Sequence, residues 1–429
     1  MKKKSKSKNY KYFINRKIKR AKNNSKDIIN RKSSNEIKSE NKTPIKNNIA
    51  NDLIFREKLP IIHNELLPEK DINYFIEFKT NPKNIKFEKT LINDVSHEQE
   101  SYSQNVFIIF KSFNEIYYII YINESSSIVS YDLFNNIKVC EIKNKLPETI
   151  SIINHYPDYN SKRDLIMTVQ EMHRNLKIWN FSDFSLIYEF KKIYTKGSLH
   201  AGCFLNEDQH IYILTGNHRF NGKKAAPIKV YDLNGNKIKD IKDSNDNSFF
   251  ISIYYDDNLN KKFILAGFPE YVKAYDYKKN MVYRTYKDIY NGFNRNVIIN
   301  KSEDIIKLIQ SSSDGYIRIW DFHKAELILE LEICPIRESK IPYSCDGGLY
   351  GICLWNNDYL FVGTSEEMKL INIKIGKIIS NIKYKKYKDF DSNYESLISI
   401  KKIKHPKFGE CLISKTLCST NIQIWSNKE

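Results

Sequence analysis

One short pattern constrains this chain more than any other feature. It reads apolar, polar, apolar, aromatic, then Asp or a substitute. Copies end at Asp132 (IVSYD), Asn180 (LKIWN), Asp232 (IKVYD), Asp276 (VKAYD) and Asp321 (IRIWD), with weaker copies at Asn372 (MKLIN) and Ser426 (IQIWS). The fourth positions are Tyr131, Trp179, Tyr231, Tyr275, Trp320, Ile371 and Trp425, at spacings of 48, 52, 44, 45, 51 and 54 residues. A period of that size marks a repeat architecture in which each unit buries its faces against its neighbours.

Each copy has companions. A second apolar segment precedes it, as in YYIIYI from Tyr117, KFILAG from Lys262 and YLFVGT from Tyr359. A third lies upstream again, as in VFIIF from Val106 and FFISIYY from Phe249. A fourth follows every copy but the last, as in KVCEIK and LILELE. All are short, rich in β-branched and aromatic residues, and bounded by Asn, Asp, Gly or Ser, which is strand and turn chemistry. Asp314-Gly315 is a tight-hairpin signal. Many segments are apolar at nearly every position, so both faces of their sheets are covered. The expected fold is all-β: a seven-bladed β-propeller of four-stranded blades with a disordered basic N-terminal arm.

Over about 86–429 the chain resembles the WD-repeat family. The aromatic–Asp pairs carry the resemblance, above all Trp320-Asp321 with the upstream Asp314; Asp132, Trp179, Asp232, Asp276 and Trp425 fill the same structural role. The Gly-His pair that opens a well-formed repeat is missing throughout. The resemblance implies a hydrogen-bond network joining His and Asp in each repeat, so here that network is expected to be partial or absent. Trp179 and Trp320 are expected to be largely buried.

The seventh unit has three strands and no room for a fourth. An open ring would leave an unpaired edge. FEKTLI, Phe87 to Ile92, has strand composition and precedes the first unit, so residues 86–92 are expected to complete the last blade. The expected organisation is a disordered arm over 1–50, a partly ordered linker over 51–83, and the propeller over 84–429.

Charge divides the chain in the same place. Residues 1–50 hold 17 Lys and Arg against Asp27, Glu36 and Glu40, a net of +14 out of +18 for the whole chain. With little apolar content, this arm cannot bury enough surface to offset its ordering entropy. Lys2, Lys3, Lys4, Arg16, Lys17, Lys19 and Arg20 suit either counterion release on a phosphate backbone or nuclear import, or form a solvated tail. The start has no apolar run of a secretory signal, and no stretch is long and apolar enough for a membrane helix. Seven scattered Cys without a CxxC pair fit neither a disulfide scaffold nor a zinc ribbon.

No catalytic constellation is visible. HExxH, GxSxG, GxxxxGKS/T and GxGxxG are all missing. His200, His210 and His218 are close in the chain, but their spacing does not place them on one strand face. CDGGLYG at 345–351 reads as a connection. The Asp that follows each aromatic recurs from unit to unit, which is the mark of a turn requirement. No enzyme activity, cofactor, metal or small-molecule substrate is expected.

The resemblance implies that loops joining second and third strands, and loops joining blades, share one face. The longest here is NHRFNGKKAAP, Asn217 to Pro227, with Arg219, Phe220, Lys223 and Lys224. Its counterparts hold His173 and Arg174, and Phe268, Pro269 and Tyr271. These are the candidate partner-binding residues. The expected function is a non-enzymatic, intracellular scaffold, cytoplasmic or nuclear, that holds other proteins in a complex. The alternative is a ribonucleoprotein or ribosome-assembly component, with RNA bound through residues 1–50.

Overall fold

A computed structural model describes residues 78–427, apart from 94–106, 124, 126, 144–149, 151, 171–172, 220–223, 288–293, 303–304, 335–348, 350, 365–366, 385–396 and 417–420. The expected arm, most of the expected linker and most of CDGGLYG lie outside the described residues.

The chain is a seven-bladed propeller of four-stranded antiparallel sheets. Blades 1 to 6 span 107–142, 152–190, 198–240, 250–287, 294–332 and 352–383. Strands within each follow chain order from the axis outward. Blade 7 takes three strands from 397–427 and its outermost strand from Ile85–Ile92, which runs antiparallel to Ile422–Asn427. The seventh sheet therefore joins the two ends of the described chain.

The repeat is explained by one recurring backbone irregularity. Between the third and outermost strands the register slips by one residue, always at the aromatic position. Tyr131 faces Lys138 while Ser130 faces Cys140, so Val139 is left over. Ile187, Ile238, Tyr283, Ile328 and Ile379 are left over in blades 2 to 6, and Glu88 beside Trp425 in blade 7. A bulge of this kind bends a strand and raises its twist. Repeated in every blade, it tilts the outermost strand in the same sense around the ring.

The residue after the aromatic caps the hairpin that follows. Asp132 Oδ1 accepts the N–H of Phe134 at 3.1 Å and of Asn135 at 3.0 Å. Asp321 accepts from His323 and Lys324, both at 2.9 Å, and Asp232 from Asn234 at 2.9 Å. Asp276 accepts from Lys279 at 3.0 Å. Asn372 does the same for Lys374 at 3.0 Å. An Asx side chain supplies this acceptor locally, which is why Asp or Asn recurs. Ser426 differs because no hairpin joins it to its outer neighbour; its hydroxyl donates to Glu88 of the closing strand.

Seven apolar clusters hold the ring, one at each junction between blades. The cluster between blades 7 and 1 takes Leu91 and Ile92 from the closing strand, Ile413 and Ile424 from blade 7, and Phe107 and Ile119 from blade 1. That between blades 6 and 7 takes Phe78, Ile85, Trp355 and Trp425. Phe78 packs edge-on against Trp355 at 4.5 Å, and the Trp355 indole donates to the Thr80 carbonyl at 2.9 Å. Glu410 receives the backbone N–H groups of Lys79 and Thr80 at 3.0 and 3.1 Å. The segment ahead of the closing strand is thus fastened to blades 6 and 7.

The indoles of Trp179, Trp320 and Trp425 donate across to the second strand, to Thr168 (2.9 Å), Gln310 (2.9 Å) and Ser414 (2.8 Å). Trp320 and Trp425 are buried. Trp179 is partly buried, less completely covered than Trp320 and Trp425. Trp320 is covered by the buried Tyr286 ring at 5.9 Å. Trp179 instead packs at the margin of the cluster between blades 1 and 2, with the Lys177 ammonium 5.9 Å above its ring.

Blade 5 carries the fullest polar network. Gln310 also donates to Asn294 at 2.5 Å. Asp314, without a repeat histidine to meet, pairs with Arg318 at 2.8 Å, both side chains under 5% exposed. Gly315 beside it adopts a φ of +87°, open to glycine at little cost.

Three outcomes follow. Trp320→Ala should cost about 3–5 kcal/mol in urea unfolding, and Trp179→Ala clearly less; equal losses would contradict the difference in burial. Deleting 84–92 should abolish the cooperative melt of a soluble monomer, because it strips blade 7 of its edge partner. Asp314→Ala should destabilise by about 3–5 kcal/mol, since it leaves a buried guanidinium with only the exposed carboxylate of Glu330 as counter-charge, beside the Ser312 hydroxyl. Adding Arg318→Met should recover most of that loss, as equilibrium unfolding of the double variant would show.

Candidate partner-binding face

The connections between second and third strands emerge beside the connections that lead to the next blade. In blades 2 to 4 the two sets are laced together. Arg174 sits in the left-handed region at φ 60°, and its Nη1 donates to the carbonyls of Tyr194 (3.2 Å) and Thr195 (2.7 Å). Asn217 Nδ2 donates to Lys196 O (3.1 Å) and Ser198 O (3.0 Å). The Arg219 N–H donates to Asn247 Oδ1 at 2.6 Å, and its guanidinium to the Lys224 carbonyl at 3.1 Å. The Tyr271 hydroxyl donates to Asp246 Oδ2 at 2.8 Å. Asn294 Nδ2 donates to the carbonyls of Phe268 (2.6 Å) and Tyr271 (2.7 Å).

These bonds form one continuous layer from the loops of blade 2 to the first residue of blade 5. Arg219 and Tyr271 meet on the neighbouring residues Asn247 and Asp246. Arg174 joins them only through the 194–198 connection and Asn217. His173 and Lys224 are exposed, Arg174, Arg219 and Tyr271 are half-buried, and Phe268 is buried. Phe220 and Lys223 lie outside the described residues, as do Lys2, Lys3, Lys4, Arg16, Lys17, Lys19 and Arg20.

Electrostatics stiffen the layer. Burial first, and then the Asp246 carboxylate, push the Tyr271 phenol well above its ordinary value, so it stays a donor. The Lys273 ammonium lies 5.2 Å over the Tyr271 ring and donates to Asp243 O at 2.8 Å; burial pulls its pKa down. Sequence reasoning missed Asp246 and Asn247. Both sit in a polar stretch, DSNDN, that reads as an ordinary linker. Only the fold sets it against the next loop.

His200 and His218 come from adjacent strands, and their rings lie 4.9 Å apart beside Phe249. Among the described residues no group of three or more His, Cys, Asp or Glu could hold a metal ion. No helix among them is long and apolar enough to cross a membrane.

The architecture is that of a WD-repeat-like seven-bladed propeller. Among solved structures, the crystal structure of Chaetomium thermophilum Raptor is similar, with a TM-score of 0.55 and 14% identity. The match covers 82% of this chain and 30% of Raptor. At that identity the likeness concerns the fold alone. No family model matches the chain, and no curated protein matches it.

Proposed function

We propose that this protein is a non-enzymatic scaffold that docks other proteins on the laced face of blades 2 to 4, inside the cell. The hydrogen-bonded layer from Arg174 to Asn294 carries the reading. Loops held in this way present a surface with little conformational entropy left to lose on binding. The side chains of His173 and Lys224 take no part in that lacing, which uses only the Lys224 carbonyl, and they offer charge and hydrogen bonding to a partner; Tyr271 contributes aromatic area.

A second reading rests on the segregated charge. The net +14 of residues 1–50 suits phosphate neutralisation, so the arm would tether a ribonucleoprotein role, in the cytoplasm or nucleus.

Affinity purification separates the two. Full-length protein, a chain lacking 1–50 and a His173→Glu/Lys224→Glu variant are compared, with protein and RNA both identified. The scaffold reading expects one protein partner recovered with or without the arm and reduced at least about tenfold by the charge reversals. Unchanged recovery of every partner by that variant would sink this choice of face. Recovery of RNA only with the arm, in a salt-dependent manner, would establish the second reading.

A further inference from the structure

The innermost strands of the blades enclose a central cavity of about 520 Å³. That lies within the roughly 300–1,000 Å³ of small-molecule sites. No Asp or Glu is among its lining residues, whereas two lysines and two histidines are. The lumen is therefore biased toward positive charge.

Three of those four groups are already engaged. His155 Nε2 meets Asp164 Oδ1 at 2.8 Å, and its ring stacks on Phe110. Lys402 donates to the Trp355 carbonyl at 3.0 Å and lies 5.1 Å over the Phe78 ring. His200 packs against His218 and Phe249. Lys401 differs: among the described residues its ammonium has neither a hydrogen bond nor an ion pair. The Cys353 thiol beside it supplies no counter-charge. Burial pushes that thiol up to about 11, against the opposing pull of Lys402 and Lys401. Burial in turn lowers the Lys401 pKa. The Ser252 hydroxyl also lines the cavity, and no protein group satisfies it among the described residues.

Lys401 is partly buried at the edge of an open lumen, so its ammonium is reachable from solution, and an anion entering the lumen gains a charge-assisted partner there. We propose that the central cavity binds one small phosphate- or carboxylate-bearing molecule, with Lys401 as its ion-pair partner. The cavity offers a charge-assisted donor from Lys401 and a hydroxyl from Ser252 among its lining residues. The site is independent of the laced face, and neither reading depends on the other.

The full chain is titrated calorimetrically with pyrophosphate and, separately, with citrate at fixed ionic strength, and melted with and without each. Wild type, Lys401→Met and Lys401→Arg are compared; the basic arm is the same in all three. At least one anion should bind wild type at a saturable single site and raise its Tm. Lys401→Met should weaken that binding at least tenfold and lose the Tm rise, while its anion-free Tm equals or exceeds that of wild type. Lys401→Arg should retain both effects. A response to pyrophosphate alone assigns a phosphate ligand, and a response to citrate alone a carboxylate. Binding that Lys401→Met leaves unchanged, or no saturable binding of either anion, overturns the proposal. If Lys401→Met does not fold, acetic anhydride labelling of wild type decides. Acylation at Lys401, read by mass spectrometry, should slow when the anion is present; an unchanged rate overturns the proposal.

Discussion

Each blade of this protein buries both of its faces, so every blade depends on two neighbours and the ring on all seven junctions. Six of the seven sheets are continuous segments of chain. The seventh exists only because Ile85–Ile92 pairs with Ile422–Asn427, segments that the rest of the propeller separates. That pairing contributes backbone hydrogen bonds and also carries Leu91 and Ile92 into the junction with blade 1, and Ile85 into the junction with blade 6. Two apolar clusters thus share one strand as a common wall. The segment just ahead of it adds Phe78 and Thr80, which fasten to Trp355 and Glu410. Cooperativity around the ring has its structural origin here, because loss of this strand opens two junctions at once.

The parts of the fold that were legible in the sequence are those with local causes. The Asp or Asn after each aromatic stands out because the hairpin needs a side-chain acceptor two or three residues back from the donor, and few residue types supply one. The apolar runs stand out because two-sided burial leaves no room for alternation. Ile371 in place of an aromatic also makes sense locally: it is fully buried between blades 5 and 6, where an aliphatic chain fills the same volume. What was not legible depends on neighbours far away in the chain. Five of the seven bulge residues are Ile or Val, the types found throughout the strands, so nothing in the sequence marks them as bulges. The partial exposure of Trp179 reflects what blade 1 places beside it. The capture of Asp314 by Arg318, in place of a repeat histidine, could not be anticipated from a pattern that mentions no arginine.

The same division governs the candidate face. Its side chains were found by loop length and composition, which is a local signal. Their present partners were not, because Tyr194, Thr195, Asp246 and Asn247 lie in connections that only the ring places alongside. The outcome changes how the residues are read. Arg174 and Arg219 are spent largely on backbone carbonyls, so their first task is to shape the surface. The His173 and Lys224 side chains, which make no such bonds among the described residues, are the chemically available groups. A substitution at Arg174 would therefore disturb loop geometry and partner contact together, whereas one at Lys224 reports on contact alone.

The central cavity follows from the same geometry. An innermost strand has a neighbour on only one side, so its other edge faces the axis with backbone polar groups unpaired by any strand. Side chains near that edge therefore stand close to a lumen more polar than the junctions beside it. In blade 7 the strand Leu397–His405 meets both kinds of surroundings: Ile400 and Ile403 join apolar clusters, and Ile400, Lys401 and Lys402 border the lumen. Lys402 finds a carbonyl on the neighbouring blade. Lys401 would need a carboxylate from a lining strand, and none is there. Among the described residues that line the lumen, Lys401 is the lysine whose ammonium meets neither a carbonyl nor a carboxylate, which is why the proposed ligand is an anion.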